Sequence, residues 1–289
     1  MMKECKTPAK VNLHLHIIGK SPDGYHNLQS LIAFTGLSDT ITLTPSPKRK
    51  ITLSGPFSYQ ISKLKQEDNL IEKSLRLLEQ ETKAPYNFDI SLHKNIPTGG
   101  GLGGGSGNAA ILLKSLNTDK NILTKITSQL GSDITAFLEA PAPVIMEETG
   151  NRINSASPIF PDLPILLVNN GEQCPTPSVY AAMEESDWKP AINFPDKFDT
   201  IEKLTTFLKI HTENSMSRAA IKTVPILQKT LNTIENQDQC LLSRLSGSGA
   251  TCFGIFPTSA QAEHAATIIK KTHPEWWVMS DTLTGKKTL

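Results

Sequence analysis

The sequence predicts an α+β fold in two domains, and three features of it carry that prediction. Through the first half, segments that alternate apolar and polar residues are interleaved with segments of helical spacing. Pro158, Pro161 and Pro164 then punctuate the chain near its middle. Beyond them helical and strand patterns alternate again, so the expected division is residues 1–155 and 156–289. The composition supports a folded chain: of 289 residues 38% are hydrophobic and 20% charged, enough apolar side chain to bury a core.

The elements follow in order. Val11 to Ile17 alternates and reads as a half-buried strand, as do Asp39 to Thr44, Ile51 to Leu53 and Phe88 to Leu92. Leu70, Ile71, Leu75, Leu77 and Leu78 predict a helix over 69–80, with Asp68 or Asn69 available as its cap. Asn108 opens a strongly apolar helix through Leu116, a second covers 121–130 and stops at Gly131, and Asp133 to Leu138 reads as a short helix or turn. After the prolines, Ile165 to Val168 starts a buried strand. Helices are expected near 200–209, 213–222 and 224–236. A Ser-Gly-Ser-Gly turn at 246–249 follows, then a strand at 251–256, a helix at 259–271 and a last strand near 276–279.

Charge and cysteine usage exclude several function classes. Lys and Arg number 29 against 28 Asp and Glu, a balance that gives no electrostatic reason to expect nucleic acid as a partner. The first residues hold no apolar signal region and no segment approaches a spanning helix, so no membrane association is expected and the expected location is cytoplasmic. Cys5, Cys174, Cys240 and Cys252 form no CxxC pair and read as free thiols. His14 and His16 share one face of a strand; lacking HExxH or a carboxylate cluster, they read as strand residues, and no metal-ligating side chains are assigned.

The glycines are concentrated. Seven of 18 lie between residues 99 and 107, running from a strand into the apolar helix. Consecutive residues without Cβ let backbone N–H groups converge, and the helix adds its unpaired amides and positive dipole end, which together make an anion cradle suited to phosphate. A Walker loop is excluded because no Lys-Ser or Lys-Thr follows the glycines. Gly99, Gly101 and Gly104 satisfy GxGxxG, with Asp119 at the distance of a ribose contact. The preceding strand alternates, however, unlike the continuous apolar strand of a dinucleotide fold.

The run Pro97-Thr98-Gly99-Gly100-Gly101-Leu102-Gly103-Gly104-Gly105-Ser106-Gly107-Asn108-Ala109-Ala110 resembles the phosphate loop of the GHMP small-molecule kinases. Thr7 to Leu13, Pro22 to Ser30, Leu130 to Ile134 and Arg244 to Thr251 resemble further segments of that family in the family's order. The triple glycine is most similar to members whose alcohol substrate carries a cytidine diphosphate group. The resemblance implies a ribosomal-S5-domain-2-like N-terminal domain, a ferredoxin-like C-terminal domain and an active site in the cleft between them. It also implies ATP with Mg2+ as cofactors, a cytidine-diphosphate small molecule as substrate, and a monomer or weak homodimer. Asp133 is then the base or orienting acceptor for the attacking hydroxyl, and Lys10 the cation that orients it. Asn69 and Lys94 correspond to adenine-side positions. Pro97, Gly99, Gly100, Gly101, Leu102, Gly103, Gly104, Gly105, Ser106 and Gly107 make the phosphate loop. Asn12, Tyr25, His26, Thr176 and Tyr180 face the substrate, with the two tyrosines on cytosine, while Asn214 and Gly247 to Gly249 complete the cleft. One departure stands out: Gly107 replaces the family's usual second serine, so a magnesium role for that hydroxyl does not transfer. Rival readings are a homoserine- or mevalonate-type kinase of the same family and a non-catalytic nucleotide-binding homologue.

Overall fold

A computed structural model of the chain describes residues 2–22, 24–62, 69–154 and 157–285. The chain falls into two units, one formed by Met1–Ala9, Leu37–Thr98 and Gly103–Ala140, the other by Lys10–Gly36, Gly99–Leu102 and Pro141–Leu289. The expected boundary at 155 and 156, together with Asp23 and the candidate cap Asp68, lies outside the described residues. Two long strands, β1 (Lys3–Lys20) and β2 (His26–Pro45), pair with each other and contribute residues to both units.

In the first unit, β3 (Lys50–Ser54) runs parallel to β4 (Phe88–His93), and β4 runs antiparallel to β2 from Thr40↔His93 to Pro45↔Phe88. Four of its helices matter here: α2 (Leu70–Thr82), α3 (Gly104–Ser115), α4 (Lys120–Leu130) and α5 (Asp133–Leu138), after the short α1 (Ser58–Ser62). The alternation in β2 and β4 puts Ile41, Leu43, Ile90 and Leu92 on one face, where Ile71 and Leu75 of α2 and Leu112 of α3 cover them. Capping sets the helix limits. The Asn69 side chain accepts the Ile71 amide at 2.9 Å and starts α2, while Lys83 ends it in the left-handed region. Asp119, the ribose candidate of the dinucleotide reading, accepts the Asn121 amide at 2.8 Å as the cap of α4, and that task accounts for it. The helix expected from Asn108 starts instead at Gly104, because the glycines themselves form its first turn.

The second unit holds β5 (Val144–Glu148), β6 (Arg152–Asn154), β7 (Leu163–Asn169), α6 (Thr176–Ala182), α7 (Ile201–His211), α8 (Ser217–Thr223), α9 (Ile226–Glu235), β8 (Leu242–Leu245), β9 (Thr251–Ile255), α10 (Ser259–Thr272) and β10 (Trp277–Leu283). Its last four strands are ordered β10-β7-β9-β8 and every neighbouring pair is antiparallel. In chain order that is 4-1-3-2, the ferredoxin-like arrangement, with α10 against β10 and β7 and α9 against β8 and β9. All seven residues of β7 are buried, as its continuous apolar run predicts. The helix expected over 213–222 begins only at Ser217. Asn214 instead forms a parallel bridge with Leu15, because the Leu15 amide donates to Glu213 O (3.1 Å) and the Ser215 amide to Leu15 O (2.8 Å). Among the described residues no helix is long and apolar enough to cross a membrane.

Candidate active site

The glycine run is divided between the units. Gly103, with φ 67°, occupies the N-cap of α3 and no side chain caps it, so the first-turn amides have no acceptor inside the helix. Gly105 is exposed and Ser106 half-buried. Such a start suits an anion. Beneath it, a Cβ on Gly104 would come within 2.7 Å of Lys94 Nζ. Lys94 is fully buried and ion-paired with Asp39, whose other oxygen accepts the Asn95 and Ile96 amides at 2.8 and 2.9 Å. Burial lowers the Lys94 pKa and the Asp39 carboxylate opposes that shift. The side chains of Lys94 and Asn69 thus both carry a structural task in this unit. Pro97 is buried, and the following Thr98 donates its amide to Gln60 Oε1 at 2.9 Å.

Gly107 has a packing reason. A Cβ there would lie 2.9 Å from Cε1 of Phe137, so the ring of α5 occupies the space of the family's second serine. Asp133 is half-buried in the first turn of α5, where the positive helix end favours a carboxylate, and Ser132 rather than Asp133 holds the N-cap position.

The second unit gathers most of the substrate-side residues. Lys10, 3% exposed, donates from Nζ to Asn12 Oδ1 at 2.6 Å, and Asn12 Nδ2 donates to Ser30 Oγ at 2.8 Å. The Asn12 amide reaches Ser246 Oγ at 3.3 Å, and that hydroxyl donates to Gly101 O at 3.1 Å. The glycine strip is held by its own backbone: the Lys10 amide donates to Leu102 O (3.0 Å) and the Thr251 amide to Gly100 O (3.1 Å). Gly101 must be glycine here, since its φ is 75° and a Cβ would strike the Ser246 carbonyl. Asn214 Nδ2 spans Leu245 O and Gly247 O at 2.8 Å each and fixes the Ser246 to Gly249 turn. Thr176 Oγ1 meets Ser248 Oγ at 2.7 Å.

Aromatic groups stand in the same unit. His26 stacks on Tyr180 with centroids 4.6 Å apart and planes 24° from parallel, while Tyr25 is 68% exposed. Burial, helped by Lys20, holds the His26 pKa below its ordinary value, so the imidazole is neutral at pH 7 and offers one donor and one acceptor. The sequence assigns no role to the hydroxyls of Ser30 and Ser246, although both lie in segments that resemble the family. Nothing local distinguishes a serine that braces an asparagine from one on the surface.

Comparison with known proteins decides the family. The GHMP kinases N terminal domain matches residues 69–139 and the GHMP kinases C terminal domain residues 200–275. A relative from Chelativorans sp. (strain BNC1), named 4-diphosphocytidyl-2-C-methyl-D-erythritol kinase, is 36% identical over 286 residues, covering 96% of this chain and 95% of its own. The chain belongs to the 4-diphosphocytidyl-2-C-methyl-D-erythritol kinase family of GHMP kinases. It is therefore a phosphotransferase, of a family that uses ATP. The crystal structure of a 4-(cytidine 5'-diphospho)-2C-methyl-D-erythritol kinase superposes with a TM-score of 0.77 at 27% identity, covering 98% of this chain and 100% of that one. A homoserine kinase from Cytophaga hutchinsonii follows the same fold with a TM-score of 0.68 at 13% identity over 99% of this chain and 96% of its own, and that likeness speaks to the fold alone. The fold by itself therefore does not choose the alcohol, which the substrate-side residues must decide.

Proposed function

We propose that the protein transfers the γ-phosphoryl group of ATP to the 2-hydroxyl of 4-diphosphocytidyl-2-C-methyl-D-erythritol, a step of isoprenoid precursor synthesis by the non-mevalonate route. The observation that carries the choice of acceptor is the substrate-side cluster of the second unit, in which Lys10, Asn12 and Ser30 adjoin the Ser246 to Gly249 turn, in a unit that also carries Tyr25, His26 and Tyr180. A neutral imidazole and aromatic faces suit a cytosine ring, which stacks and hydrogen-bonds at its edge. A homoserine acceptor has no such ring.

In this reading Asp133 takes the proton of the attacking hydroxyl, the oxygen bonds to the γ-phosphorus, and the bond from that phosphorus to the bridging β,γ-oxygen breaks to release ADP. Lys10 is the cation that neutralises charge developing during transfer. The amides at the start of α3, with Gly99 to Gly107, bind the phosphates, and Thr176 contributes to the substrate. Asn69 and Lys94 take the adenine side, and Pro97 opens the phosphate loop. Magnesium fits the donor set in one way. Among the described residues no three His, Cys, Asp or Glu side chains could hold a metal, and Ser106 is the hydroxyl left in the first turn of α3. A magnesium ion that keeps most of its contacts to phosphate oxygens and water needs little more, and it would neutralise phosphate charge. We further infer a division into residues 1–155 and 156–289, which the family matches on either side support, a monomer or weak homodimer, and a cytoplasmic location.

The test is ADP release with ATP and, separately, the cytidyl-diphosphate alcohol, mevalonate and homoserine. Turnover with the first alone is expected. Turnover with homoserine or mevalonate in its place overturns the assignment of the acceptor, and no turnover with any acceptor overturns the kinase reading.

A further inference from the structure

Arg244 stands on β8, two residues before Ser246, and is 8% exposed. A buried guanidinium is expensive unless its donors are satisfied. Its Nη1 donates to Leu13 O (2.7 Å) and Thr212 Oγ1 (2.8 Å), and its Nη2 to Leu208 O (3.1 Å) and Thr212 O (2.9 Å). Three of the four acceptors are backbone carbonyls, two of them at the C-terminal end of α7, whose negative dipole end offsets part of the charge.

The placement ties this group to the substrate-side cluster. Leu13 and Asn12 are consecutive on β1, and they are held by Arg244 and Ser246, two residues apart on the facing segment. The Asn12 side chain in turn receives the Lys10 ammonium. On the other side, Leu245 O and Gly247 O are held by Asn214. A lysine has three donors at one point and cannot span Leu13 and Leu208 together, whereas the planar fork of arginine can.

Resting on the function proposed above, we propose that Arg244 is a positioning residue for the acceptor half of the reaction: by clamping Leu13 O to the end of α7 it sets the register of β1 and so the direction in which Asn12 presents Lys10. It touches neither substrate. Its loss therefore disturbs the alcohol and the transfer step far more than the nucleotide, whose phosphates also meet the amides at the start of α3.

The experiment measures kcat and both KM values of Arg244→Lys and Thr212→Val, with ATP and the cytidyl-diphosphate alcohol varied independently. For Arg244→Lys we expect kcat to fall at least about tenfold and the KM for the alcohol to rise severalfold, with the KM for ATP within about twofold. Thr212→Val removes one of the four bonds and should show the same split at smaller size, which keeps the test decisive if the lysine variant does not fold. Methylguanidinium added to Arg244→Gly should recover part of kcat. A variant that folds and keeps kcat and the alcohol KM within twofold of the parent overturns the proposal, as does a rise in the ATP KM equal to that for the alcohol. Failure of the parent protein to phosphorylate the alcohol removes the functional reading instead, so the two failures are distinct.

Discussion

Asp133 sits in the first turn of α5, so replacing it removes both a carboxylate and a favourable charge at a helix start. Asp133→Asn keeps the shape and is the cleaner variant. Turnover should fall about 10²- to 10⁴-fold in Asp133→Ala or Asp133→Asn while ATP affinity by calorimetry stays close to the parent value; turnover within tenfold would take Asp133 out of the chemistry. Tyr25 is 68% exposed in the same unit as His26 and Tyr180. Tyr25→Ala should weaken binding of the cytidyl-diphosphate alcohol by roughly 1–2 kcal/mol, the worth of one stacked base. An unchanged dissociation constant would separate Tyr25 from cytosine recognition.

At the scale of elements, α3 is constrained at its start and along one side. Gly103 has φ 67° at the N-cap, a conformation that a β-branched side chain resists. Gly103→Val should therefore abolish ATP binding in titration calorimetry, because it distorts the turn that exposes the amides; normal binding would place the phosphates elsewhere. Further along, a Cβ at position 107 would lie only 2.9 Å from the Phe137 ring of α5. Restoring the family's serine by Gly107→Ser should lower stability by roughly 1–3 kcal/mol through overpacking. Gly107→Ser/Phe137→Leu should recover most of that loss in urea denaturation. Equal stability of the single variant and the parent would show that the two helices can separate without penalty.

For the whole molecule, acid sensitivity follows from the histidines of β1. His14 is fully buried and edge-on to His16 at 4.2 Å. Burial, with lesser contributions from His16 and Arg244, lowers its pKa from 6.5 to about 2. The unfolded chain thus takes up a proton below pH 6.5 that the folded chain refuses, and stability is lost as the pH falls. The slope approaches about 1.4 kcal/mol per unit for one such group. Burial lowers His16 as well, which adds in the same direction. Urea midpoints between pH 7.5 and 5.5 should decline, and His14→Phe should flatten the decline. A parent profile level over that range would contradict the burial argument.

How much of this was legible beforehand differs by kind of information. The sequence alone determined the α+β class, most helices and the family segments, because period and motif are local properties written residue by residue. Short elements such as β8 and α6 escaped, since four to seven residues hold too few turns of a pattern. Only the tertiary structure decided what each polar residue does. Asn12 and Ser246 are 234 positions apart, and Gly107 is glycine because of a ring 30 residues on. Such pairings depend on which surfaces the packed chain brings within a few ångströms, and a hydrogen bond at that separation leaves no trace in the spacing of either partner's neighbours.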